Sequence, residues 1–189
     1  MSTDLFRGEL VRLTAENPET LGEIWSRWNR NSELMRLLDT DPAILWSKKK
    51  IQEWNEKELE KDVQEDYFFT IRALQDDRLI GFTALFHFLW NHGDPWVAIG
   101  LGEPEYWGKG YGSDTMRLVL RYAFTELNVH RVTLCVFEYN QRAIRSYQKV
   151  GFKHEGRVRG EFLRMGSRWD VIFMGILREE WQRNYAEVQ

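Results

Sequence analysis

Residues 107–113 read Trp107-Gly108-Lys109-Gly110-Tyr111-Gly112-Ser113. This stretch separates a predicted strand, near Trp96 to Leu101, from the clearest helix of the chain. Glycine lets the backbone turn sharply and lets its N–H groups approach a ligand closely. N–H groups beside a helix N-terminus bind anions, and Lys109 adds positive charge to the same loop. The stretch therefore predicts a site for a phosphate-bearing ligand.

The spacing of these glycines excludes two common phosphate-binding motifs. The loop lacks the Gly-x4-Gly-Lys-Ser/Thr pattern of a P-loop. The third glycine of a dinucleotide fingerprint would fall at Ser113, and no early βαβ unit surrounds it. For the loop taken alone, two alternatives stay open: a glycine-rich turn without a ligand, and an unrelated nucleotide-binding domain.

Two helices and a strand are predicted after the glycine loop. The first helix has apolar residues at helical spacing, namely Met116, Val119, Leu120, Ala123, Phe124 and Leu127. A strand at Arg131 to Phe137 follows, and a second helix runs from Asn140 to Val150. Asn140 can cap that helix, and Gly151 can end it. Tyr147 falls on its apolar face, where a tyrosine is typical of a core residue.

The rest of the chain mixes helices and strands. Asn17 can cap a helix that begins at Pro18, and another helix runs from Ser47 to about Lys61. Further strands are predicted at 10–13, 67–72, 79–88, 152–158 and 169–176. This order predicts an α/β or α+β domain with a mixed sheet. No repeat or linker divides the sequence, so we expect one domain over residues 1–189.

Composition narrows the class of protein. The 189 residues suffice for one domain with a full core, and a net charge of −3 argues against nucleic acid as a partner. Cys135 is the single cysteine, which excludes an internal disulfide and a cysteine-based zinc site. The start lacks the apolar core of a signal peptide, and the longest apolar stretch, Ala84 to Trp90, is too short to cross a bilayer. We expect a cytoplasmic protein with no membrane partner.

Taken together, the two segments resemble the signatures of the GNAT superfamily of acetyltransferases. The glycine loop is similar to the family's pyrophosphate-binding motif, although Trp107 stands where Arg or Gln often opens it. The segment from Asn140 to Phe152 is similar to the second signature. His130-Arg131-Val132 and Glu155-Gly156 resemble the branch of ribosomal-protein N-terminal acetyltransferases. The resemblance covers 79–176 and implies a mixed sheet of about seven strands flanked by helices.

The resemblance also implies roles for individual residues. Two central parallel strands, here 97–101 and 131–137, would splay apart around acetyl-coenzyme A (acetyl-CoA), the acetyl donor, with no metal required. Backbone groups of Ile99, Gly100 and Leu101 would bind its pantetheine arm. The amides of the glycine loop would bind its pyrophosphate: Gly108, Lys109, Gly110, Tyr111, Gly112 and Ser113. Asn140 and Ser146 would line the other wall, and Tyr147 would be the general acid.

The general base stays open at this point. Many similar enzymes have a glutamate at the start of the strand that leads into the glycine loop, where this chain has Trp96. Asp94, His87, Glu103 and a relay of water molecules are the alternatives, since neutral histidine accepts a proton near pH 7.

The acceptor and the assembly are also open. The expected acceptor is an amine, which leaves a protein N-terminus, an amino acid, a polyamine or an amine-bearing small molecule. Nine tryptophans suggest an aromatic-walled cleft, and Trp25, Trp28, Trp46 and Trp54 lie in the N-terminal region that borders the acceptor in similar proteins. Exposed sheet edges leave room for a homodimer. The alternative to an enzyme is a non-catalytic acyl-CoA-binding module of the same fold.

Overall fold

Seven strands form one mixed sheet in a computed structural model that describes residues 4–59 and 66–186. The strands are β1 (Val11–Thr14), β2 (Tyr67–Ala73), β3 (Leu79–Leu89), β4 (Asp94–Leu101), β5 (Arg131–Phe137), β6 (Lys153–Arg164) and β7 (Ser167–Leu177). Their order across the sheet is β1-β2-β3-β4-β5-β7-β6. Neighbouring strands are antiparallel except β4 and β5, which are parallel. The predicted mixed sheet of about seven strands is confirmed.

Helices flank this sheet. They are α1 (Pro18–Trp28), α2 (Ser32–Leu38), α3 (Lys48–Leu59), α4 (Tyr111–Thr125), α5 (Gln141–Val150) and α6 (Arg178–Ala186). A short 3-10 helix at Pro104–Tyr106 precedes the glycine loop. Within the described ranges, no helix is long and apolar enough to cross a membrane.

The predicted helix boundaries follow from local hydrogen bonds. The Asn17 side chain accepts a hydrogen bond of 2.8 Å from the amide of Thr20 and caps α1. The Asn140 side chain accepts one of 3.2 Å from the amide of Ala143 and caps α5. Gly151 ends α5 with a φ of 114°, a left-handed conformation that favours glycine. Asn17, Asn140 and Gly151 therefore act as the sequence predicts.

Two helices have no counterpart in the sequence prediction. α2 has seven residues, which is too short for its apolar residues to show a clear period. Its start is marked by Asn31, whose side chain accepts hydrogen bonds from the amides of Glu33 and Leu34. α6 follows β7 directly. The predicted end of the third helix near Lys61 lies outside the described residues.

α4 fills the core on one face of the sheet. Met116, Val119, Ala123 and Phe124 are completely buried, as their spacing predicts. The buried carboxylate of Asp114 accepts hydrogen bonds from the main-chain amides of residues 9–11, the closest being 2.8 Å from Leu10. These contacts fix the first turn of α4, and with it the glycine loop, against the start of β1.

β4 and β5 separate soon after they meet. Their parallel register contains the pair Trp96 and Thr133, and no second pair joins the two strands among the described residues. The β5-facing edge of β4 therefore leaves N–H and C=O groups free beyond Trp96. The predicted splay between the two central parallel strands is confirmed.

Candidate active site

The gap between β4 and β5 opens a cleft of about 500 Å³. Three groups of predicted site residues line it together: Ile99, Gly100 and Leu101 from β4; Gly108, Gly110, Gly112 and Ser113 from the glycine loop and α4; Asn140, Ser146 and Tyr147 from α5 and its cap. Lys109 has an exposed side chain outside the cleft lining. The Tyr111 ring is buried against Tyr106, with ring centroids 5.0 Å apart. Those two residues can therefore serve a ligand only through their amides.

The glycine loop has the geometry of an anion site. Gly108 and Gly110 have φ values of 73° and 95°, which side chains rarely adopt. In the described chain, the amides of Gly108, Lys109 and Gly110 have no main-chain hydrogen-bond partner. The amides of the first turn of α4 lack intrahelical acceptors as well. A cluster of free N–H groups thus meets the positive end of the α4 dipole.

α5 adds positive charge to the cleft. Arg142, Arg145 and Lys149 all line it, and the lining contains no Asp, Glu or His among the described residues. The Arg142 guanidinium lies 4.0 Å from the centroid of the Trp107 ring, and burial lowers the pKa of Arg142. A cleft with this charge favours a ligand with several phosphates. These three cations are not among the predicted site residues, although their spacing of three and four residues places them on one helix face.

Trp107 and a pair of serines join the elements around the cleft. The indole Nε1 of Trp107 donates a 2.7 Å hydrogen bond to the carbonyl oxygen of Leu101, the last residue of β4. The hydroxyls of Ser113 and Ser146 lie 2.8 Å apart and link α4 to α5. The Leu101 carbonyl keeps one lone pair for a ligand, because a carbonyl oxygen has two.

Tyr147 lies half-buried in the cleft near Cys135 of β5. Burial is the main cause that raises the pKa of Tyr147 above its ordinary value, and the neighbouring Cys135 adds to it. Burial also raises the pKa of the Cys135 thiol, and the charge of Asp39 adds to that. The Tyr147 phenol therefore keeps its proton throughout the physiological range.

Comparison with known proteins identifies the family. A family model described as "Acetyltransferase (GNAT) domain" matches residues 10–153. The chain belongs to the GNAT acetyltransferase family. It is 30% identical to the SPbeta prophage-derived uncharacterized N-acetyltransferase YokL of Bacillus subtilis over 98% of this chain and 100% of that protein. It is also 37% identical to the spermidine N(1)-acetyltransferase of Escherichia coli K12 over 42% of each chain.

A solved GNAT structure resembles this one over nearly its whole length. The crystal structure of spermidine N-acetyltransferase from Vibrio cholerae, in complex with CoA and spermine, superposes with a TM-score of 0.79 and 26% identity. The match covers 91% of this chain and 98% of that one. The chain is therefore an acyltransferase that takes its acetyl group from acetyl-CoA and acts on amines.

The GNAT cleft contains none of the protein groups considered as a base. Glu103 is buried, where it accepts a 2.9 Å hydrogen bond from the Trp28 indole and pairs with Arg78. Asp94 accepts a 2.9 Å hydrogen bond from the Thr133 hydroxyl. His87 is exposed at a bulge of β3, with a φ of 51°. All three lie outside the cleft lining.

The tryptophans that line the cleft differ from those predicted to border the acceptor. Trp25 packs against Phe82, with ring centroids 4.8 Å apart, in an aromatic cluster with Trp54 and Phe68. Trp96 and Trp107 line the cleft instead. Trp25 and Trp54 thus join α1 and α3 to Phe68 and Phe82 of the sheet, Trp46 contacts Lys50, and two tryptophans beside β4 shape the cleft.

Proposed function

We propose that this enzyme acetylates a primary amine of a polyamine, with Tyr147 as the general acid. The observation that carries the proposal is the cleft itself, where free loop amides and the cations of α5 meet Tyr147. Glycine-loop amides and Arg142 would hold the phosphates of acetyl-CoA. Ile99, Gly100 and Leu101 would hold its pantetheine arm along the free edge of β4.

The reaction is a direct transfer. The lone pair of the acceptor nitrogen attacks the thioester carbonyl carbon, and free N–H groups of β4 stabilise the oxygen that becomes negative. The C–S bond then breaks, and the sulfur takes the proton of the Tyr147 hydroxyl. The acceptor nitrogen releases a proton that returns to the Tyr147 oxygen through water. The products are an N-acetylated amine and free CoA.

The raised pKa of Tyr147 bears on this step in two ways. It keeps the phenol protonated, so that the acid is ready at every turnover. It also makes the phenol a weaker acid toward a thiolate whose ordinary pKa is about 8.5. The second effect is opposed because burial also raises the pKa of the neighbouring Cys135 thiol, and the same burial would raise the pKa of a departing thiol in the cleft.

Water is the proposed base. With no Asp, Glu or His in the described cleft lining, the acceptor ammonium would lose its proton to solvent before attack. Only the neutral fraction of the amine would react, so the rate would rise with pH.

Polyamines are the proposed acceptors because related proteins act on them. The name of the Escherichia coli relative states spermidine, and the Vibrio cholerae structure holds spermine. Acetylation of a protein N-terminus, as in the ribosomal-protein branch, is the second candidate, and the test below separates the two. A homodimer, a single domain over 1–189 and a cytoplasmic location stay predictions.

Release of the CoA thiol tests the proposal. Purified enzyme with acetyl-CoA should release thiol when spermidine is added, and mass spectrometry should find acetylspermidine. Acetyl-CoA alone should also raise the unfolding temperature, because a ligand that binds only the folded state stabilises it. Transfer to an alanine-initiated or serine-initiated peptide in place of spermidine would favour the second candidate. Absence of transfer to every amine would overturn the proposal.

A further inference from the structure

A second, smaller space adjoins the cleft on the far side of β5. This hollow has a volume of about 300 Å³. Its walls are mostly apolar, with Leu38 from α2, Val158 from β6, and Val171 and Phe173 from β7. Asp39 and Glu161, both exposed, also line it. We call this space the acidic hollow.

The acidic hollow and the cleft share part of their walls. Leu38, Cys135 and Phe137 line both spaces. The Trp96 ring of the cleft packs edge-on against Phe173 of the hollow, with ring centroids 6.0 Å apart. A chain of methylene groups in the hollow would therefore point toward the part of the cleft that contains Tyr147.

The two spaces differ in charge. Arg142, Arg145 and Lys149 line the cleft, and they repel a cationic acceptor there. The lining of the hollow includes Asp39 and Glu161 and no Lys or Arg in the described residues. Neither carboxylate has an ion-pair partner within the described chain, although Arg12, Arg78, Arg131 and Arg157 pair with other acids. Electrostatics thus favours phosphates in one space and ammonium groups in the other.

Arg164 fixes the wall that carries Asp39. Its Nη1 donates a 2.5 Å hydrogen bond to the carbonyl oxygen of Arg36. Its Nη2 donates to the carbonyl oxygens of residues 39, 40 and 41 at 2.9, 3.0 and 3.1 Å. The guanidinium also lies 5.4 Å from the centroid of the Phe162 ring. Arg164 contacts the loop through main-chain oxygens and does not line the hollow. We call these contacts the Arg164 clamp.

We infer that the acidic hollow binds the second ammonium group of a diamine or polyamine while the first is acetylated in the cleft. Asp39 and Glu161 would hold the distal ammonium, and the apolar walls would contact the methylene chain. The inference deepens the proposed function and rests on it. It makes Asp39 and Glu161 determinants of specificity for acceptors with two charges.

A pair of acceptors with the same carbon chain tests the inference. Putrescine and butylamine differ in the second ammonium group, and kcat/KM is measured for each by CoA thiol release. We expect putrescine to be preferred, and Asp39→Asn or Glu161→Gln to lower the putrescine-to-butylamine ratio of kcat/KM by up to about fivefold, the upper end of the range for exposed ion pairs. Glu179→Gln is the control, because it removes an exposed carboxylate on α6 that lines neither space. Its putrescine-to-butylamine ratio of kcat/KM should equal that of the wild type.

Binding is measured separately from turnover through Cys135. It is the single cysteine of the chain and lines both spaces, so mass spectrometry reports its alkylation without ambiguity. Putrescine should slow alkylation of the unliganded enzyme more than butylamine does, and Asp39→Asn should weaken that protection. Protection without any acetyl transfer would overturn the proposed function and keep the hollow as an amine site. Acetyl transfer with the same putrescine-to-butylamine ratio of kcat/KM in the wild type and in both variants would overturn the inference and leave the proposed function intact.

Discussion

Trp96 of β4 pairs with Thr133 of β5, and beyond this pair the two strands diverge to form the cleft. Trp96 therefore lies at the closed end of the splay, and its ring contacts Phe173 of the acidic hollow. Many similar enzymes have a glutamate at this place. Here an indole fills it and closes the cleft with an apolar group, and in the proposed mechanism water takes the proton of the acceptor.

We expect Gly108→Glu to weaken acetyl-CoA binding by at least tenfold. The φ of Gly108 is 73°, and a Cβ there would meet no atom within 4 Å, so the main effects are a carboxylate beside the phosphates and a strained backbone. Gly166→Glu is a matched control, because Gly166 has a φ of 75° and equally open space in the turn between β6 and β7. KM for acetyl-CoA is the measurement. Equal KM values for acetyl-CoA in Gly108→Glu and Gly166→Glu would contradict the assignment of the glycine loop as the phosphate site.

Tyr147→Phe should lower kcat by about two orders of magnitude, the contribution expected of a general acid. KM for acetyl-CoA should change little, because the ring stays in place. Tyr122→Phe is the control: burial also raises the pKa of Tyr122, which packs against Phe69 on the core side of α4. If Tyr147→Phe kept the wild-type kcat, Tyr147 would be a packing residue.

The pH dependence of the same variant tests the protonation state of Tyr147. Its raised pKa keeps the phenol neutral below its ordinary pKa of about 10, so loss of its proton cannot lower the rate between about pH 7 and pH 9. The wild-type rate should rise over this range as the amine loses its proton. The ratio of wild-type to Tyr147→Phe kcat should stay constant. A ratio that falls steadily toward pH 9 would mean that Tyr147 titrates near neutrality.

The sequence predicts the elements whose signals are local. Asn140 caps α5, Gly151 ends it, and the apolar spacing of α4 matches its buried face. The cleft residues of the glycine loop and α5 lie within the two sequence motifs, and Ile99, Gly100 and Leu101 are predicted through the resemblance to the GNAT family. α2 could not be predicted, since seven residues give a weak periodic signal. The acidic hollow is lined by residues of α2, β5, β6 and β7, and the sequence does not state which of these elements contact one another.

Glu103→Gln should lower the free energy of unfolding by about 1–2 kcal/mol, because the buried carboxylate accepts charge-assisted hydrogen bonds. Its effect on kcat should be small, since Glu103 lies outside the cleft lining. Glu105 also pairs with Arg78, at 2.6 Å, but its side chain is 50% exposed, against 7% for Glu103. Glu105→Gln should therefore cost less stability. Chemical denaturation measures both. A large loss of kcat in folded Glu103→Gln enzyme would restore Glu103 as a candidate base.

Arg164→Lys should raise KM for spermidine severalfold while KM for acetyl-CoA stays near the wild-type value. A guanidinium can bond several carbonyls of residues 36–41 at once from its fixed fork of donors, and a lysine ammonium cannot reach them all. The loop that carries Asp39 would then lose its fixed position beside the acidic hollow. Arg168→Lys is the matched control, because Arg168 donates a 2.9 Å hydrogen bond to the carbonyl of Gly160 on the same hairpin.

Comparing KM for spermidine with KM for acetyl-CoA in Arg164→Lys shows whether Arg164 positions Asp39 or only stabilises the fold. A clamp that merely stabilised the fold would lower the unfolding temperature and leave both KM values unchanged in the folded enzyme. A clamp that positions Asp39 should act on the cationic acceptor, because acetyl-CoA is proposed to bind along β4 and α5, away from Asp39. The effect of Arg164→Lys should also be small in an Asp39→Asn background, since the two changes remove the same interaction. Additive effects of the two substitutions on KM for spermidine would show that Arg164 acts independently of Asp39.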